Sequence, residues 1–166
     1  MVVVVMGVTG AGKTTVGTAL AAALGWSFVE GDRFHPASNV AKMRAGASLT
    51  DNDRAPWLDA LQHVIVRALD RREHLVLACS ALKARYREIL KDDRRGVRFV
   101  YLKVPPAMAV ARAAERPGHF AGPALVPGQF ATLEEPSVDE DPSTITVDAT
   151  LPVDRMVEII RYELGV

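Results

Sequence analysis

The residues with the clearest chemical signature are Met6-Gly7-Val8-Thr9-Gly10-Ala11-Gly12-Lys13-Thr14-Thr15. Gly7, Gly12, Lys13 and Thr14 fall at the required positions of the pattern G-x-x-x-x-G-K-[ST]. The types suit one task, the gripping of a polyphosphate. Glycines let successive backbone N–H groups turn toward one point. A helix starting there adds partial positive charge. Lys13 supplies a mobile full charge for the β- and γ-phosphates, and Thr14 offers a hydroxyl to Mg²⁺. The competing reading, a glycine-rich turn with a solvated lysine, is disfavoured by the flanks. Val2-Val3-Val4-Val5 reads as a buried parallel strand, and Thr15–Leu24, stopped by Gly25, reads as a helix.

A second group is acidic. Ser27-Phe28-Val29-Glu30 is a short strand ending in Gly31-Asp32. Carboxylates at the carboxyl end of a parallel strand lie where open α/β sheets bind ligands. Asp32 there can orient metal-bound water or take a proton from an attacking hydroxyl, or it can simply cap a helix. The expected placement is one strand over from the phosphate loop, with Glu30 as a further aid to the metal. The strand Leu75–Ala78 ends in Cys79-Ser80 and not in an acid, which shifts metal duty toward Thr14 and Asp32. Cys79, the sole cysteine, reads as a small buried residue, since no histidine pattern accompanies it.

A third group is basic. Arg112 and Arg116 are four apart and are expected on one face of a helix opened by Pro105-Pro106. They run into Pro117-Gly118-His119-Phe120-Ala121-Gly122-Pro123, which reads as a mobile lid over a triphosphate at about residues 112–128. An ordinary surface loop with solvated arginines is the plain alternative.

The elements that must position these groups follow in order. Pro36–Ala45 is a helix ended by Gly46. Leu49–Leu58 is a polar turn with Arg54, leading into a helix that starts at Asp53 or Pro56 and buries Leu61, Val64, Ile65, Ala68 and Leu69. Arg85–Asp93 is a helix, Val97–Val104 a strand, and Leu125–Leu133 a helix carrying Gln129. Ser137–Ser143 is a solvated loop, Ile145–Asp148 a strand, Asp148–Pro152 a turn suited to wall an adenine, and Val153–Leu164 a closing helix. Strand and helix alternate, so the expectation is a three-layer α/β/α fold with a five-stranded parallel sheet, of the P-loop NTPase type with a lid.

Composition sets outer limits. The chain has 166 residues, which favours one domain. Its 20 basic and 20 acidic residues cancel, which argues against nucleic acid as a partner. One cysteine allows no internal disulfide and fits a reducing, cytoplasmic compartment. The N-terminal apolar run leads straight into the phosphate loop, so it is a strand and not a signal peptide, and nothing approaches the ~20 apolar residues of a membrane span.

Together the motifs resemble the gluconate kinases, phosphate-loop enzymes of the shikimate-kinase and nucleoside-monophosphate-kinase type. The resemblance rests on Gly7–Thr15, Glu30-Gly31-Asp32-Arg33-Phe34-His35-Pro36, Leu49-Thr50-Asp51, Asp53-Arg54, Pro56-Trp57-Leu58, Cys79-Ser80-Ala81-Leu82-Lys83, Tyr86-Arg87, Arg116, His119-Phe120, Gln129-Phe130 and Leu133-Glu134-Glu135-Pro136. It spans nearly the whole chain. Where the family usually has serine before the glutamine, this chain has Gly128. The resemblance implies transfer of the γ-phosphoryl group of ATP to the 6-hydroxyl of D-gluconate, with Mg²⁺, commonly in a homodimer. It implies an ATP site of Gly7, Thr9, Gly10, Ala11, Gly12, Lys13, Thr14, Thr15, Arg112 and Arg116. Lys13, Asp32 and Arg116 act in catalysis, and Thr14 and Asp32 serve the metal. A segment at about residues 35–60 covers the acceptor. The acceptor contacts are Asp32, His35, Arg54, Lys83, His119 and Gln129, with Arg54 first in line for the carboxylate.

Two rivals are weighed against this. Another small-molecule kinase of the same fold, for shikimate or a nucleoside monophosphate, is disfavoured by Cys79-Ser80-Ala81, where shikimate kinases carry a glycine triplet. A non-catalytic nucleotide-binding module has no reason to keep Asp32, Arg54, Trp57 and an arginine-bearing lid together.

Overall fold

The structure is a computed structural model and describes residues 1–137, 139 and 141–166. Among these, five parallel strands form one sheet: β1 (Val2–Met6), β2 (Ser27–Glu30), β3 (Leu75–Ala78), β4 (Val97–Lys103) and β5 (Ile145–Asp148), in the spatial order β2-β3-β1-β4-β5. The connections carry α1 (Lys13–Leu24), α2 (Ala37–Arg44), α3 (Asp51–Asp70), α4 (Ala84–Lys91), α5 (Pro106–Ala114), α6 (Val126–Thr132) and α7 (Val153–Leu164).

Strand alternation explains the three layers. Every residue of β1 is fully buried, yet successive side chains enter different cores. Val3 and Val5 join Val16 and Leu20 of α1, Ala109 of α5 and Met156 and Ile160 of α7. Val2, Val4 and Met6 join Trp57, Leu61 and Ile65 of α3 and Tyr86 and Leu90 of α4. A strand buried on both faces must be apolar throughout, which is why the valine run contains no polar residue. A third, smaller cluster of Met43, Leu49, Ala121 and Leu125, with Phe120 against it, lies apart from the sheet and ties α2 to the loop between α5 and α6.

Several expectations need correction. Val5 pairs with Ala78 of β3, and Ala78 in turn pairs with Glu30 of β2. Asp32 therefore follows the second strand from the loop and not the adjacent one, because β3 returns between β1 and β2. Helix α3 begins at Asp51, before both expected starts. Thr50 accepts from the Asp53 N–H at 3.1 Å while Asp53 Oδ2 accepts from the Thr50 N–H at 2.9 Å, a reciprocal cap that makes the expected turn the first turn of the helix. Arg116 is not on the helix of Arg112. Helix α5 ends at Ala114, and Arg116 precedes Pro117, a position that disfavours helical backbone. Of the expected solvated loop, Val138 and Glu140 lie outside the described residues. Asp141 within it is not merely solvated, for its carboxylate accepts from Lys91 Nζ at 2.6 Å and pins the segment to α4.

Candidate active site

The carboxyl ends of β1, β2 and β3 open onto a divided cleft. On one side the phosphate loop wraps the start of α1. Gly12 is the N-cap and brings no side chain, and the first turn of α1 holds no acid, so the helix N-terminus faces the cleft with its positive end uncompensated. Gly10 is fixed by two constraints. Its φ is +83°, and a Cβ there would lie 2.2 Å from the carbonyl oxygen of Ala109 in α5. The loop thus seats directly on the helix that leads to the arginines. This side is lined by Gly10–Val16, Arg112, Glu115, Arg116 and an apolar wall of Leu151, Pro152, Val153 and Met156. Leu151 and Pro152 of the turn after β5 line this cleft, and both arginines reach it although they share no helix face. Arg112 also donates to the Ala149 carbonyl at 2.9 Å, which holds the turn after β5.

Lys13 lines this cleft and also the pocket on its other side. Its ammonium donates to the Val8 carbonyl at 3.0 Å. Burial pulls its pKa down, opposed by the charges of Asp32 and Glu30. Thr14 Oγ1 donates to Glu30 Oε2 at 2.6 Å, and Glu30 Oε1 also accepts from the Asp32 N–H at 3.4 Å. One carboxylate therefore ties the loop hydroxyl to the turn that carries Asp32.

The second pocket is lined by Thr9, Lys13, Asp32, His35, Ser48, Arg54, Trp57, Ser80, Phe120 and Gln129, among others. Burial alone would push the Asp32 carboxyl up. The hydrogen bond from His119 and the charge of Lys13 outweigh it and hold the group below the usual carboxylate range. His119 Nε2 lies 3.3 Å from Asp32 Oδ2. His119 Nδ1 accepts from the Ala121 N–H at 3.1 Å, so Nε2 carries the hydrogen and points it at Asp32. His35 is a neutral donor for a similar reason. Asn39 Nδ2 donates to the Asp53 carbonyl at 2.8 Å and lies 3.3 Å from His35 Nδ1, which must accept, leaving the hydrogen on Nε2. Burial lowers the His35 pKa to about 4. The ring stacks on Trp57 at 4.3 Å, and Phe120 meets its edge at 6.2 Å. The indole of Trp57 donates to the Gly31 carbonyl at 2.8 Å, locking this aromatic column to the turn of Asp32.

Gln129 reaches back to the phosphate loop, where its Oε1 accepts from the Thr9 N–H at 2.7 Å. At Gly128 the pocket wall is closed by a neighbour, since a Cβ there would lie 2.7 Å from Ser48 Oγ. Arg54 is 8% exposed and lines the pocket. Lys83 does not line it. Its ammonium is taken by Asp51 at 3.2 Å, outside the pocket wall. Cys79 is fully buried, and burial pushes its thiol up to about 12, so it is no nucleophile. Among the described residues no group of three or more His, Cys, Asp or Glu is gathered as a metal site. Sequence reasoning missed Ser48, Phe120 and Ser80 as pocket residues. Ser80 carried a signal in its place at the end of a strand and Phe120 in its place beside His119 in the lid segment, whereas Ser48 carried none.

A phosphate loop at the first strand, a cation shared by two adjoining pockets and a carboxylate facing the second pocket define a phosphate-loop kinase of a small molecule. The model of the shikimate kinase family matches residues 9–134. The gluconokinase of Gluconobacter oxydans is 51% identical over 138 residues, covering 82% of this chain and 77% of that one. The thermosensitive gluconokinase of Escherichia coli is 37% identical, covering 95% and 84%. The chain belongs to the gluconokinase family. The crystal structure of a gluconokinase from Sinorhizobium meliloti superposes with a TM-score of 0.84 at 40% identity, covering 98% of this chain and 90% of that one. Shikimate kinase from Aquifex aeolicus superposes at 0.61 with 17% identity, which speaks for the shared fold alone.

Proposed function

We propose that the protein is a gluconokinase, transferring the γ-phosphoryl group of ATP to the 6-hydroxyl of D-gluconate. The observation that carries this reading is Lys13, which borders both the phosphate-loop cleft and the pocket of Asp32 and Arg54. A phosphoryl group held at Lys13 faces an acceptor held beside Asp32. In the transfer the bond from the γ-phosphorus to the acceptor oxygen forms as the bond to the β-phosphate oxygen breaks. The hydroxyl proton passes to Asp32 and then to solvent. The transition state is largely dissociative, so positioning and charge stabilisation supply most of the acceleration. Lys13 and the loop N–H groups hold the phosphates, and Arg116 with Arg112 closes over them from the segment at about residues 112–128, which acts as the lid. Arg54 binds the acceptor carboxylate. His35 donates from Nε2 and Gln129 completes the acceptor wall from the lid side, whereas His119 does not line the pocket and reaches the site only through Asp32.

The residues present fit a magnesium ion. Mg²⁺ is bound by one or two carboxylates plus phosphate oxygens and water, not by an all-protein cage. Thr14 and Glu30 would hold it, with Asp32 beside them, and the ion would offset charge on the β- and γ-phosphates. A homodimer in the cytoplasm completes the proposal. Among the described residues no helix is long and apolar enough to cross a membrane.

The test is ADP release from Mg-ATP against a panel of gluconate, other sugar acids, shikimate and nucleoside monophosphates. Gluconate should give the highest kcat/KM. No release with any sugar acid overturns the reading.

A further inference from the structure

Arg54 does not choose its own direction. Its NH1 group donates to the Leu49 carbonyl at 2.6 Å and to Tyr86 Oη at 3.4 Å, and among the described residues Nε and NH2 have no protein partner. Tyr86 is 1% exposed. Its single hydroxyl hydrogen goes to Asp51 Oδ1, so its oxygen presents a lone pair to Arg54. Asp51 is further held by Lys83 at 3.2 Å and Arg85 at 3.1 Å. The order is forced. A carboxylate only accepts, a guanidinium only donates, and the phenol between them can point one way. Burial, and then the bond to Asp51, raises the Tyr86 pKa, so the group stays a phenol. Asp51 opens α3, Arg54 lies one turn further on, and Tyr86 comes from α4, so the chain of contacts spans two helices.

We infer that Tyr86 and Asp51 are positioning residues that aim Arg54 into the acceptor pocket, leaving Nε and NH2 for the substrate carboxylate. They thereby set the affinity for a sugar acid. Lys83, read from the sequence as an acceptor contact, acts one step further back by holding Asp51. The inference rests on the reading that Arg54 binds the acceptor carboxylate.

Tyr86→Phe keeps the ring and its packing and removes the oxygen. The gluconate KM should rise roughly tenfold, the scale of one lost hydrogen bond to a charged group. kcat and the ATP KM should change by less than about twofold. Asp51→Asn should act in the same direction. Arg54→Ala should raise the gluconate KM more than either, and adding Tyr86→Phe to it should produce no further rise. A gluconate KM unmoved by Tyr86→Phe while Arg54→Ala raises it overturns the positioning role alone. A further rise on the Arg54→Ala background overturns it too, because Tyr86 would then act independently. An unchanged gluconate KM in Arg54→Ala overturns both the positioning role and the reading of Arg54. A fall in kcat together with a rise in both KM values would mark Tyr86 as structural only.

Discussion

Gly31→Ala puts one methyl group where the structure has no room. A Cβ at residue 31 would lie 2.3 Å from the carbonyl oxygen of Ala78 and 3.4 Å from Leu61 Cδ1. A carbon-to-oxygen contact normally settles at about 3.3 Å, so something must move by about 1 Å. Ala78 cannot give way. It sits in β3, paired to Val5 on one side and Glu30 on the other. The turn Gly31–Phe34 must move instead, and it carries Asp32. The Gly31 carbonyl also accepts the Trp57 indole hydrogen, and Trp57 is 1% exposed, so the shift strands a buried donor. Overpacking costs about 1–3 kcal/mol and a stranded donor about 1–3 kcal/mol, and since one movement relieves part of both, about 2–4 kcal/mol is expected in all. For a chain of this size that lowers Tm by roughly 5–15 °C. Displacing the proton acceptor by about 1 Å should cut kcat on the order of 100-fold. The assay pairs coupled ADP release with thermal unfolding. Gly122→Ala is the control, since no atom lies within 4 Å of its Cβ position and its φ is −78°. It should change stability by less than about 0.5 kcal/mol. A Gly31→Ala enzyme with kcat within threefold and Tm within about 2 °C of the parent would refute the close-approach argument.

Three further outcomes are expected. Lys13→Ala should cut turnover by a factor on the order of 10³ or more and leave Tm equal or higher, because a buried ammonium is removed; near-normal turnover would sink the site assignment. Asp32→Asn should lower kcat by about 10²–10⁴ while ATP binding, followed by calorimetry, changes little; if only ATP binding weakens, Asp32 serves the metal and not the hydroxyl. His35 has a folded-state pKa of about 4 against an ordinary 6.5, so the unfolded chain binds the proton first as pH falls. Stability at neutral pH should therefore drop by on the order of 2 kcal/mol between pH 6.5 and 4, after allowance for solvent screening, and His35→Phe should flatten that part of the curve in denaturant titrations.

What could be read from the chain was what local chemistry writes into it. The phosphate loop needs backbone shapes that glycine alone supplies, so its spacing is legible. Val2–Met6 had to be apolar on both faces, and Gly25 stops α1 with a left-handed backbone at φ 67°. The start of α3 was also written locally, in Thr50 and Asp53 three apart, but an acidic, polar stretch reads equally well as a turn until the reciprocal hydrogen bonds are seen. Pro117 likewise marked the end of the arginine helix. The remaining errors were non-local. Nothing near Lys83 reveals Asp51, 32 residues earlier, as its partner. Nothing in strand order along the chain says that β3 returns between β1 and β2. The meeting of His119 with Asp32 joins two connections that are adjacent only in the folded cleft.

That meeting bears on how Asp32 can act as a base. In this structure its carboxyl is held below the usual range, which makes it a weak proton acceptor. On the roles proposed above, the two largest influences that lower it are both drawn elsewhere in a loaded enzyme. Lys13 turns its charge to the phosphates, and the substrate hydroxyl takes the place of His119 Nε2. Burial, the strongest influence and the one that raises the pKa, then remains, opposed by the smaller influence of His35 and by the charge of the magnesium ion proposed beside it. On those roles, the carboxylate is a better proton acceptor with both substrates bound than in the unloaded site. His119→Ala removes one of the restraints in advance. The acid limb of kcat/KM for gluconate, which reports the enzyme before gluconate binds, should move to higher pH in that variant, whereas the acid limb of kcat should stay close to that of the parent. A limb of kcat/KM that stays in place or moves to lower pH would show that His119 does not set the charge of Asp32.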